Sequence, residues 1–402
     1  MNSLFKFIIR NITLCLSSLY YSNYNRDKLL WVFGEWYGER CCDNCMYLVN
    51  FITKAYPKIK TVWITKEGTD TSSLDPSVLI VERDKQDALA YLKKASAIFV
   101  VHGRIDLTDY NIMYESGAIT VNLWHGIPWK KIGTDIFRNR LKLLYHNYWL
   151  SRYSPRYFLA TSNEFAKIVS KAYFKTNEEI IKAGYPRNSI FYKQETCLDI
   201  KRRLLNVLLK KEYEKTSSLR IITYMPTFRD KTKKVFSFGD LLDNQQLEGI
   251  LCKHNAIIVE KSHFVTSHRQ KGSLISSNKR VFFVQDLISQ ELLAATDLLI
   301  TDYSSCFFDY LILDRPIIHY LYDYDYYAND DRGLYYPKDE VVCGDVVKTI
   351  EELLIAIDEN LLYQDKHVML RKKRRKKFLE YETCNSCDEI VSKVSNLIQE
   401  RK

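Results

Sequence analysis

The sequence predicts an α/β protein built from two halves, each a parallel β-sheet covered by helices. Short apolar runs alternate with helical or polar stretches from "KLLWVFGEWYG" (28–38) to "IIKAGYPRN" (180–188), and the alternation restarts at "LRIITYMPTFRD" (219–230). Parallel strands are joined by long crossovers, usually helices, so this alternation is typical of a wrapped parallel sheet. Two such halves facing each other across a cleft would place the carboxyl ends of their strands, and therefore ligands, along that cleft.

Each half can be followed element by element. A helix is expected at "NCMYLVNFITKAY" (44–56), and further apolar runs predict the other strands of the first half: "KTVWITK", "SVLIVER", "ASAIFVVHG", "AITVNLWHG" and the start of "RYFLATSNEFAKIVSKAY". The Lys-rich stretch "KRRLLNVLLKKEYEKTSS" (201–218) is the expected helical connector. The strands of the second half continue with "NAIIVEKSH", "RVFFVQD", "TDLLITDYSS" and "RPIIHYLYD".

Length and composition indicate a globular protein of more than one domain. The chain has 402 residues, 46% of them hydrophobic and 27% charged, which is too long for one ordinary core and too apolar for disorder. We predict an amphipathic membrane-associating segment (1–25), an N-terminal α/β domain (26–200), a C-terminal α/β domain (201–370) and a basic C-terminal helical segment (371–402). The formal charge of 59 − 49 = +10 favours acidic partners such as nucleotides, phosphorylated polymers, nucleic acid or an anionic membrane.

Both ends of the chain have features typical of membrane association. In "LFKFIIRNITLCLSSLYY" (4–21), polar residues recur on one side of a helix and apolar residues on the other. Lys6 and Arg10 leave no uncharged run long enough to span a bilayer, so the pattern fits a helix lying in the interface, or one packed on the protein's own core. The seven cations of 371–377 predict attraction to anionic lipids, or a solvated helix face. We expect a peripheral protein on the cytoplasmic face of the cell membrane.

The ten cysteines fit a reducing cytoplasm, because they form no dense disulfide framework and no cleavable signal peptide is evident. Two C-x-x-C pairs, Cys42 with Cys45 and Cys384 with Cys387, have the chemistry of zinc ligands. They lie at opposite ends of the chain, outside the usual spacing of zinc fingers and ribbons. We expect buried or incidental thiols at these positions.

Candidate chemical groups follow the apolar runs. The sequence contains no G-x-x-x-x-G-K-[ST] loop and no full G-x-G-x-x-G pattern, which removes the usual support for an ATPase or a dehydrogenase. His125 directly follows a strand, where a neutral imidazole can take a proton from an attacking hydroxyl; a structural hydrogen bond is the alternative. Thr227, Lys261 and His263 also follow strands, and Arg187 lies in a loop. Each of these is either a phosphate ligand or an ordinary turn or surface residue.

A cluster of two hydroxyls and two carboxylates, Asp302, Ser304, Ser305 and Asp309, separates an apolar strand from a helix. Ser and Asp at such a place cap the helix by accepting hydrogen bonds from its first N–H groups. The same N–H groups form an anion site that suits a phosphate. Capping accounts for one Ser but not for the whole cluster, which favours the phosphate site.

Together these segments resemble the CDP-glycerol glycerophosphotransferase family, whose members build teichoic-acid-type polymers. The segments that carry the resemblance occur in the family's order: "FGEWYGERCCDN", "WHGIPWKKIG", "GYPRN", "MPTFRD", "EKSH", "LLITDYSSCFFDYLILDRPIIHYLYD" and "DDRGLYY". The pair "WHG-x-P-x-K" and "TDYSS-x-x-FD" is its most specific part. The resemblance implies a GT-B-like fold of two Rossmann-like domains facing across a cleft, and transfer of a polyol phosphate instead of a sugar.

The resemblance also implies roles for individual residues. The domain at 26–200 would lie on the acceptor side, and the domain at 201–370 would bind the CDP donor. His125 and His263 are the expected catalytic residues, with His125 as the base. His263, Lys261 and Arg187 are the candidates for neutralising phosphoryl oxygens. Ser304 and Ser305 would hold the donor's phosphates, and Asp309 would help to position the donor. The full set of implied donor-site residues is Trp124, Gly126, Ile127, Pro128, Arg187, Thr227, Phe228, Lys261, Ser262, Ser304, Ser305 and Asp309.

The implied reaction transfers glycerol phosphate, or a related polyol phosphate, from CDP-glycerol or CDP-ribitol to a hydroxyl of a lipid-linked glycan or growing polyol phosphate chain, releasing CMP. The protein would supply positioning, a base and charge stabilisation. The sequence shows no acidic metal cluster, so we expect no metal ion and no cofactor; no nucleic-acid partner is expected either. A nucleotide-sugar glycosyltransferase of the same fold and a non-catalytic polyanion-binding protein remain as alternatives.

Overall fold

The computed structural model of the protein describes residues 3–136, 143, 154–209, 218–227, 236–261, 280–285, 287–325 and 333–401. By their internal contacts the residues fall into two compact units. Unit 1 comprises Met1–His125, Phe137–Ser189 and Tyr381–Lys402, and unit 2 comprises Gly126–Ile136 and Ile190–Glu380. The sequence predicted domain boundaries after residues 25, 200 and 370. These boundaries stay predictions, because contact-based units do not show which segments fold independently.

The described part of unit 1 is built on a parallel sheet with the strand order β3-β2-β1-β4-β5-β6-β7. Its strands are β1 (Asp27–Phe33), β2 (Lys60–Thr65), β3 (Leu79–Glu82), β4 (Ala95–Val100), β5 (Ile119–Asn122), β6 (Tyr157–Ala160) and β7 (Ile180–Lys182). The helices are α1 (Ser3–Ser22), α2 (Asn44–Ala55), α3 (Gln86–Lys94) and α4 (Asn163–Tyr173). The chain order reverses between β1 and β4, and open parallel sheets bind ligands at such a switch point, beyond the carboxyl ends of the strands.

Unit 2 repeats the same doubly wound pattern with the strand order β10-β9-β8-β11-β12-β13. Its strands are β8 (Arg220–Met225), β9 (Ala256–Lys261), β10 (Val281–Val284), β11 (Leu298–Thr301), β12 (Ile317–Tyr320) and β13 (Asp345–Val347). Its helices are α5 (Gln194–Leu209), α6 (Gln245–Lys253), α7 (Ser289–Ala295), α8 (Cys306–Tyr310), α9 (Lys338–Val341), α10 (Ile350–Leu362) and α11 (Val368–Phe378). The switch point of this sheet lies between β8 and β11.

The sequence accounts for these elements through burial and capping. β4 and β11 are buried along their whole lengths, as expected for central strands covered on both faces. α4 begins at Ser162, whose hydroxyl accepts the N–H of Phe165 at 3.1 Å. α10 begins with a capping box, in which Thr349 accepts the N–H of Glu352 and the Glu352 carboxylate reaches back to the N–H of Thr349.

The last helix, α12 (Ser386–Glu400), belongs to unit 1. Tyr56, which directly follows α2, donates a hydrogen bond to Asp388 at 2.8 Å. Just before α12, the carboxylate of Glu382 accepts hydrogen bonds from the N–H of Tyr185 at 3.0 Å and the side-chain amide of Asn188 at 3.2 Å. A side chain at Gly184 would collide with this segment. The C-terminal segment therefore holds the loop that follows β7.

Helix α1 turns its polar side towards unit 1 and its apolar side outwards. Leu14 is buried, and Ser17 and Ser18 hydrogen-bond to Met113 and Ser116 of the same unit. The opposite side exposes a stripe of apolar side chains, namely Ile8, Ile12, Leu16 and Leu19, each 45–65% exposed. This is the reverse of an ordinary surface helix, whose apolar side faces the core. Among the described residues, no helix is both long and apolar enough to cross a membrane.

The basic run 371–377 is only partly exposed in α11. Arg371 and Arg374 are buried, and they bind the carboxylate of Asp314 and the carbonyl oxygen of Val342, respectively. Lys377 pairs with Glu340 at 2.9 Å. The run as a whole therefore does not face solvent, and the predicted attraction to anionic lipids stays a prediction for its exposed part. The side chains that do face solvent are Lys372, Lys373 and Lys376.

Candidate active site

Polar side chains of unit 1 gather where three neighbouring strands end. Glu35 and Trp36 follow β1, His102 follows β4, and Trp124 and His125 follow β5. The backbone is left-handed at two of these places, with φ of 48° at Trp36 and 58° at Trp124. This conformation is unfavourable for residues with a Cβ, and residues that adopt it concentrate at functional sites.

Asp106 fixes the ends of β1 and β4 to each other. Its carboxylate is fully buried and accepts hydrogen bonds from the N–H groups of Tyr37 (2.9 Å), Val101 (2.9 Å) and His102 (2.8 Å). Its Oδ1 also lies 3.4 Å from Nδ1 of His102. Hydrogen bonds to a charged group are stronger than those between neutral groups. The two strand ends therefore form a firmly held platform at the switch point.

The imidazole of His125 is stacked between two other rings. Its centroid lies 4.5 Å from that of His102, with the planes 18° apart, and 4.3 Å from that of Trp124. Nδ1 lies 3.2 Å from the carbonyl oxygen of Val101. A carbonyl only accepts hydrogen bonds, so Nδ1 carries the proton and Nε2 keeps its lone pair. Burial and then the neighbouring His102 lower the pKa of His125 to about 4. The ring is therefore neutral at physiological pH.

Arg187 lies beside His125, where it is held by an ion pair. Its Nη1 donates to the carboxylate of Asp43 at 2.8 Å and to the carbonyl oxygen of His125 at 3.0 Å. Burial alone would raise the pKa of Asp43, but the charge of Arg187 and its hydrogen bond outweigh that effect and lower the pKa. Asn44 accepts the N–H of Arg187 at 3.1 Å and donates to the carbonyl oxygen of Trp124 at 2.8 Å. The loops after β5 and β7 are thus tied to the start of α2.

Glu35 adds a second buried carboxyl group next to Asp43. Its Oε1 accepts the N–H groups of Asp43, at 2.8 Å, and of Cys42. Burial, followed by the charge of Asp43, raises the pKa of Glu35 well above its usual value. Glu35 therefore holds a proton more tightly than an exposed glutamate, and it supports the turn that carries Asp43.

In unit 2, Asp302 joins the ends of the two strands at the switch point. Its buried carboxylate accepts hydrogen bonds from the N–H of Thr227 at 2.8 Å, the hydroxyl of Thr227 at 2.6 Å and the N–H of Tyr303 at 2.6 Å. Thr227 follows β8, and Asp302 follows β11. The turn that presents Ser304 and Ser305 is therefore anchored on the strand next to it.

The two serines of this turn do little capping. Ser305 precedes α8 without a side-chain cap, and the hydroxyl of Ser304 lies 3.5 Å from the N–H of Cys306, at the limit of a hydrogen bond. Both serines are partly exposed. Asp309 is only 1% exposed and accepts a hydrogen bond from Gln290 at 2.9 Å. It supports α8 from inside the unit, and its role in positioning a donor stays a prediction.

Lys261 ends β9 with its Nζ donating to the carbonyl oxygens of Gln285, at 3.0 Å, and Leu287, at 2.6 Å. These two carbonyl oxygens orient the ammonium group at the end of the strand. The neighbouring Glu260 is buried, which raises its pKa to about 7. Three of the predicted site residues lie outside the described residues: Phe228, Ser262 and His263.

The segment that follows His125 belongs to unit 2. Gly126, with φ of 146°, Ile127 and Pro128 are all buried. The adjacent Trp129 donates its indole N–H to the carbonyl oxygen of Tyr336 at 2.9 Å. Ile127 is only 1% exposed, and its predicted contact with a donor stays a prediction.

The sequence analysis assigned no role to His102, Asp43, Asp106 or Glu35. A signal for His102 was present, because it ends the run "ASAIFVVHG" as His125 ends "AITVNLWHG". Within the described part of the chain, no group of three or more His, Cys, Asp or Glu side chains has a geometry that could hold a metal ion. The four cysteines of the two C-x-x-C pairs are free thiols.

Two doubly wound units, with polar residues at the carboxyl ends of their strands, place the protein in the GT-B-like class of α/β folds. Residues 19–396 match the family described as CDP-glycerol:poly(glycerophosphate) glycerophosphotransferase, and the chain belongs to that family.

Its relatives include a teichoic acid poly(glycerol phosphate) polymerase of Bacillus spizizenii, which is 31% identical over 85% of this chain and 86% of its own. A teichoic acid glycerol-phosphate transferase of Staphylococcus aureus is 27% identical over 83% of this chain and 84% of its own. Among solved structures, the wall teichoic acid polymerase TagF superposes with a TM-score of 0.79 at 23% identity, covering 98% of this chain and 94% of that chain. The predicted family, fold class and enzyme class are confirmed.

Proposed function

We propose that the protein transfers glycerol phosphate from CDP-glycerol to a hydroxyl group at the end of a growing acceptor chain, releasing CMP. Membership of the glycerophosphotransferase family supports the reaction class. A poly(glycerol phosphate) polymerase matches at 31% identity over 85% of the chain and a glycerol-phosphate primase at 32% over 46%. The ribitol-phosphate polymerases match at 24–27% over 62–69%. Glycerol phosphate is therefore favoured over ribitol phosphate.

The observation that carries the proposal is the state of His125. Its Nδ1 is engaged with the carbonyl oxygen of Val101, and its Nε2 has no hydrogen-bond partner among the described residues. A neutral imidazole with an available nitrogen is the group that a hydroxyl nucleophile needs. In the proposed step, the acceptor oxygen bonds to the phosphorus next to glycerol while its proton passes to Nε2. The bond from that phosphorus to the CMP oxygen breaks, and CMP carries away the bonding electrons.

Unit 2 supplies the groups proposed to hold the donor. Ser304 and Ser305 keep their hydroxyls largely outside capping interactions, which suits ligands of the diphosphate. Lys261 ends β9, and two carbonyl oxygens orient its ammonium group. Arg187 pairs with Asp43 at 2.8 Å and donates to the carbonyl oxygen of His125 at 3.0 Å. We infer that Arg187 acts mainly by holding the backbone of His125, and that Lys261 neutralises a phosphoryl oxygen of the donor.

We further propose that the protein works at the cytoplasmic face of the membrane, on a lipid-linked acceptor. The support is the outward apolar stripe of α1, in which Leu16 is 62% and Leu19 is 65% exposed. Contiguous exposed apolar side chains are costly in water and typical of interfacial helices. The exposed lysines of α11, Lys372, Lys373 and Lys376, add the positive charge that anionic lipids attract.

The experiment that tests the proposed reaction separates it from its alternatives. The full chain is incubated with a glycerol phosphate oligomer as acceptor and with CDP-glycerol, CDP-ribitol or a UDP-sugar in turn, and nucleotide release is followed. We expect CMP from CDP-glycerol, less from CDP-ribitol and no UDP. Release of UDP would show that the protein is a glycosyltransferase. Release of no nucleotide would exclude both transferase activities and favour the non-catalytic polyanion-binding protein.

A matched pair of variants tests the base. His125→Ala should lower turnover by roughly 10²–10⁴-fold, the usual contribution of a general base, while the affinity for CDP changes far less. His254→Ala is the control, because His254 pairs with Asp358 in α10, away from the strand ends of the site. Turnover by His125→Ala within threefold of the wild type would exclude His125 as the base.

A further inference from the structure

The imidazole rings of His102 and His125 form a stacked pair in unit 1, and the proposed reaction assigns a role only to His125. The ring centroids are 4.5 Å apart, and the planes differ by 18°. Nδ1 of His125 lies 3.2 Å from the carbonyl oxygen of Val101. His102 is tied to Asp106 through its backbone N–H at 2.8 Å, while its Nδ1 lies 3.4 Å from Oδ1 of Asp106 without a hydrogen bond. The two rings are thus held face to face from two separate strand ends.

Charged groups reach this pair from several sides. Asp106 lies beside His102. Asp43, at the start of α2, and Arg187, in the loop after β7, lie beside His125. The ion pair between Arg187 and Asp43 leaves little net charge on the His125 side.

Aromatic side chains enclose the remaining faces of His102. Tyr37 stacks on it at 4.7 Å, and Trp36 meets it edge-on at 4.7 Å. Only 13% of the His102 side chain is exposed. Two positive charges on adjacent rings repel each other strongly where water is largely excluded. The pair therefore admits one positive charge and resists a second.

We propose that His102 is a positioning residue for His125, whose ring it holds by stacking and with which it shares a single positive charge. This inference rests on the proposed function, in which His125 is the base. During transfer, the acceptor's proton moves to Nε2 of His125, and the new imidazolium forms against the stacked ring of His102, where a second positive charge is disfavoured.

The experiment follows the imidazole protons by NMR in the full chain labelled at histidine. The signals of His125 are assigned by their loss in His125→Gln, and the pH is varied in the wild type and in His102→Phe. Phenylalanine keeps an aromatic ring for stacking but cannot be protonated. We expect the titration of His125 to move to higher pH in His102→Phe by about 0.7 of a pKa unit or more. Two unit charges at the separation of these rings repel each other by about that amount even when they are screened as in water.

Turnover of the same variants gives a second readout. His102→Ala, which removes the stacked ring, should lower kcat by about tenfold with little change in KM, because a misplaced reacting group loses orientation. His102→Phe should restore kcat at neutral pH to within about threefold of the wild type. His254→Phe is the control for a histidine outside the pair, and it should change neither quantity.

The outcomes separate the proposal from its premise. An unchanged titration of His125 in His102→Phe would show that the two rings do not share a charge. Equal losses of kcat in His102→Ala and His102→Phe would show that stacking by His102 does not position His125. A purely structural His102 would lower the melting temperature without moving the titration. If the wild type turned over no CDP-glycerol, the proposed function would fail, while the NMR titration would still decide whether the two rings share one charge.

Discussion

The carboxylate of Asp302 binds Thr227 twice, through the backbone N–H at 2.8 Å and the hydroxyl at 2.6 Å. The two residues follow adjacent strands of unit 2 and are 75 positions apart in the chain. Both are buried, so the interaction is a charge-assisted one in a poorly solvated place. It fixes the turn that carries Ser304 and Ser305 to the rest of the sheet.

Removing the Thr227 hydroxyl should therefore weaken both folding and donor binding. Thr227→Val keeps the shape of the side chain but leaves Asp302 short of one donor. A hydrogen bond to a charged group contributes about 1.5–3 kcal/mol, and we expect a loss of that size in the free energy of unfolding measured by urea denaturation. Thr227→Ser keeps the hydroxyl and should lose only the methyl contact, about 0.8 kcal/mol. Equal losses in the two variants would show that the hydroxyl bond contributes little.

Replacing both Ser304 and Ser305 by Ala should reduce donor affinity more than stability. Their hydroxyls make little capping contact in the structure, so few hydrogen bonds of the folded protein are lost. If each binds a phosphate oxygen, the double variant should lose about 1.5–3 kcal/mol of binding free energy per hydroxyl. Isothermal titration with CDP-glycerol measures the affinity, and thermal unfolding measures the stability.

The control for this pair is Thr349→Ala, which removes a true helix cap in the same unit. It should destabilise the protein by about 1 kcal/mol and leave the donor affinity unchanged. If the Ser304/Ser305 double variant loses stability but keeps its donor affinity, as expected for Thr349→Ala, the two serines have a structural role and do not bind the donor.

Stability should depend on pH through Glu260. Burial raises the pKa of Glu260 in the folded protein to about 7 from its usual value of 4.5. The folded state therefore binds the proton more tightly than the unfolded state. The resulting stabilisation is complete below pH 4.5 and is lost as the pH rises through about 7.

Glu260→Gln should remove this pH dependence. Between pH 5 and pH 8, the wild type should lose on the order of 3 kcal/mol relative to the variant, as measured by urea denaturation at each pH. Glu351→Gln, at an exposed position of α10, serves as the control and should follow the wild type. Parallel stability curves for the wild type and Glu260→Gln would contradict the raised pKa.

Local patterns in the sequence predicted most of the fold, because alternating apolar runs and helices define parallel sheets whatever the tertiary detail. They also placed His125 correctly at a strand end. They did not reveal that Arg187 pairs with Asp43, 144 positions away, because such contacts depend on the order of strands in the sheet. The basic run of α11 shows the same limit, since a row of cations does not indicate that Arg371 and Arg374 are buried against carbonyl and carboxylate oxygens.

The apolar stripe of α1 and the exposed lysines of α11 should contribute separately to membrane binding. We expect the full chain to co-sediment with vesicles containing phosphatidylserine. High salt should reduce the bound fraction without abolishing it. The Debye length falls from about 10 Å at 0.1 M salt to about 3 Å at 1 M, which weakens attraction between charges but not apolar insertion.

Substitutions at exposed positions separate the two contributions. Leu16→Ser with Leu19→Ser should abolish the salt-resistant fraction, since both side chains face away from unit 1 and their replacement leaves the docking side of α1 intact. Changing Lys372, Lys373 and Lys376 to Ser should instead reduce binding only at low salt. The same number of Lys→Ser changes at Lys60, Lys253 and Lys348, exposed positions elsewhere, controls for net charge. Turnover of a soluble acceptor should persist in all three variants, and a wild-type protein that stays in the supernatant at low salt would exclude the membrane proposal.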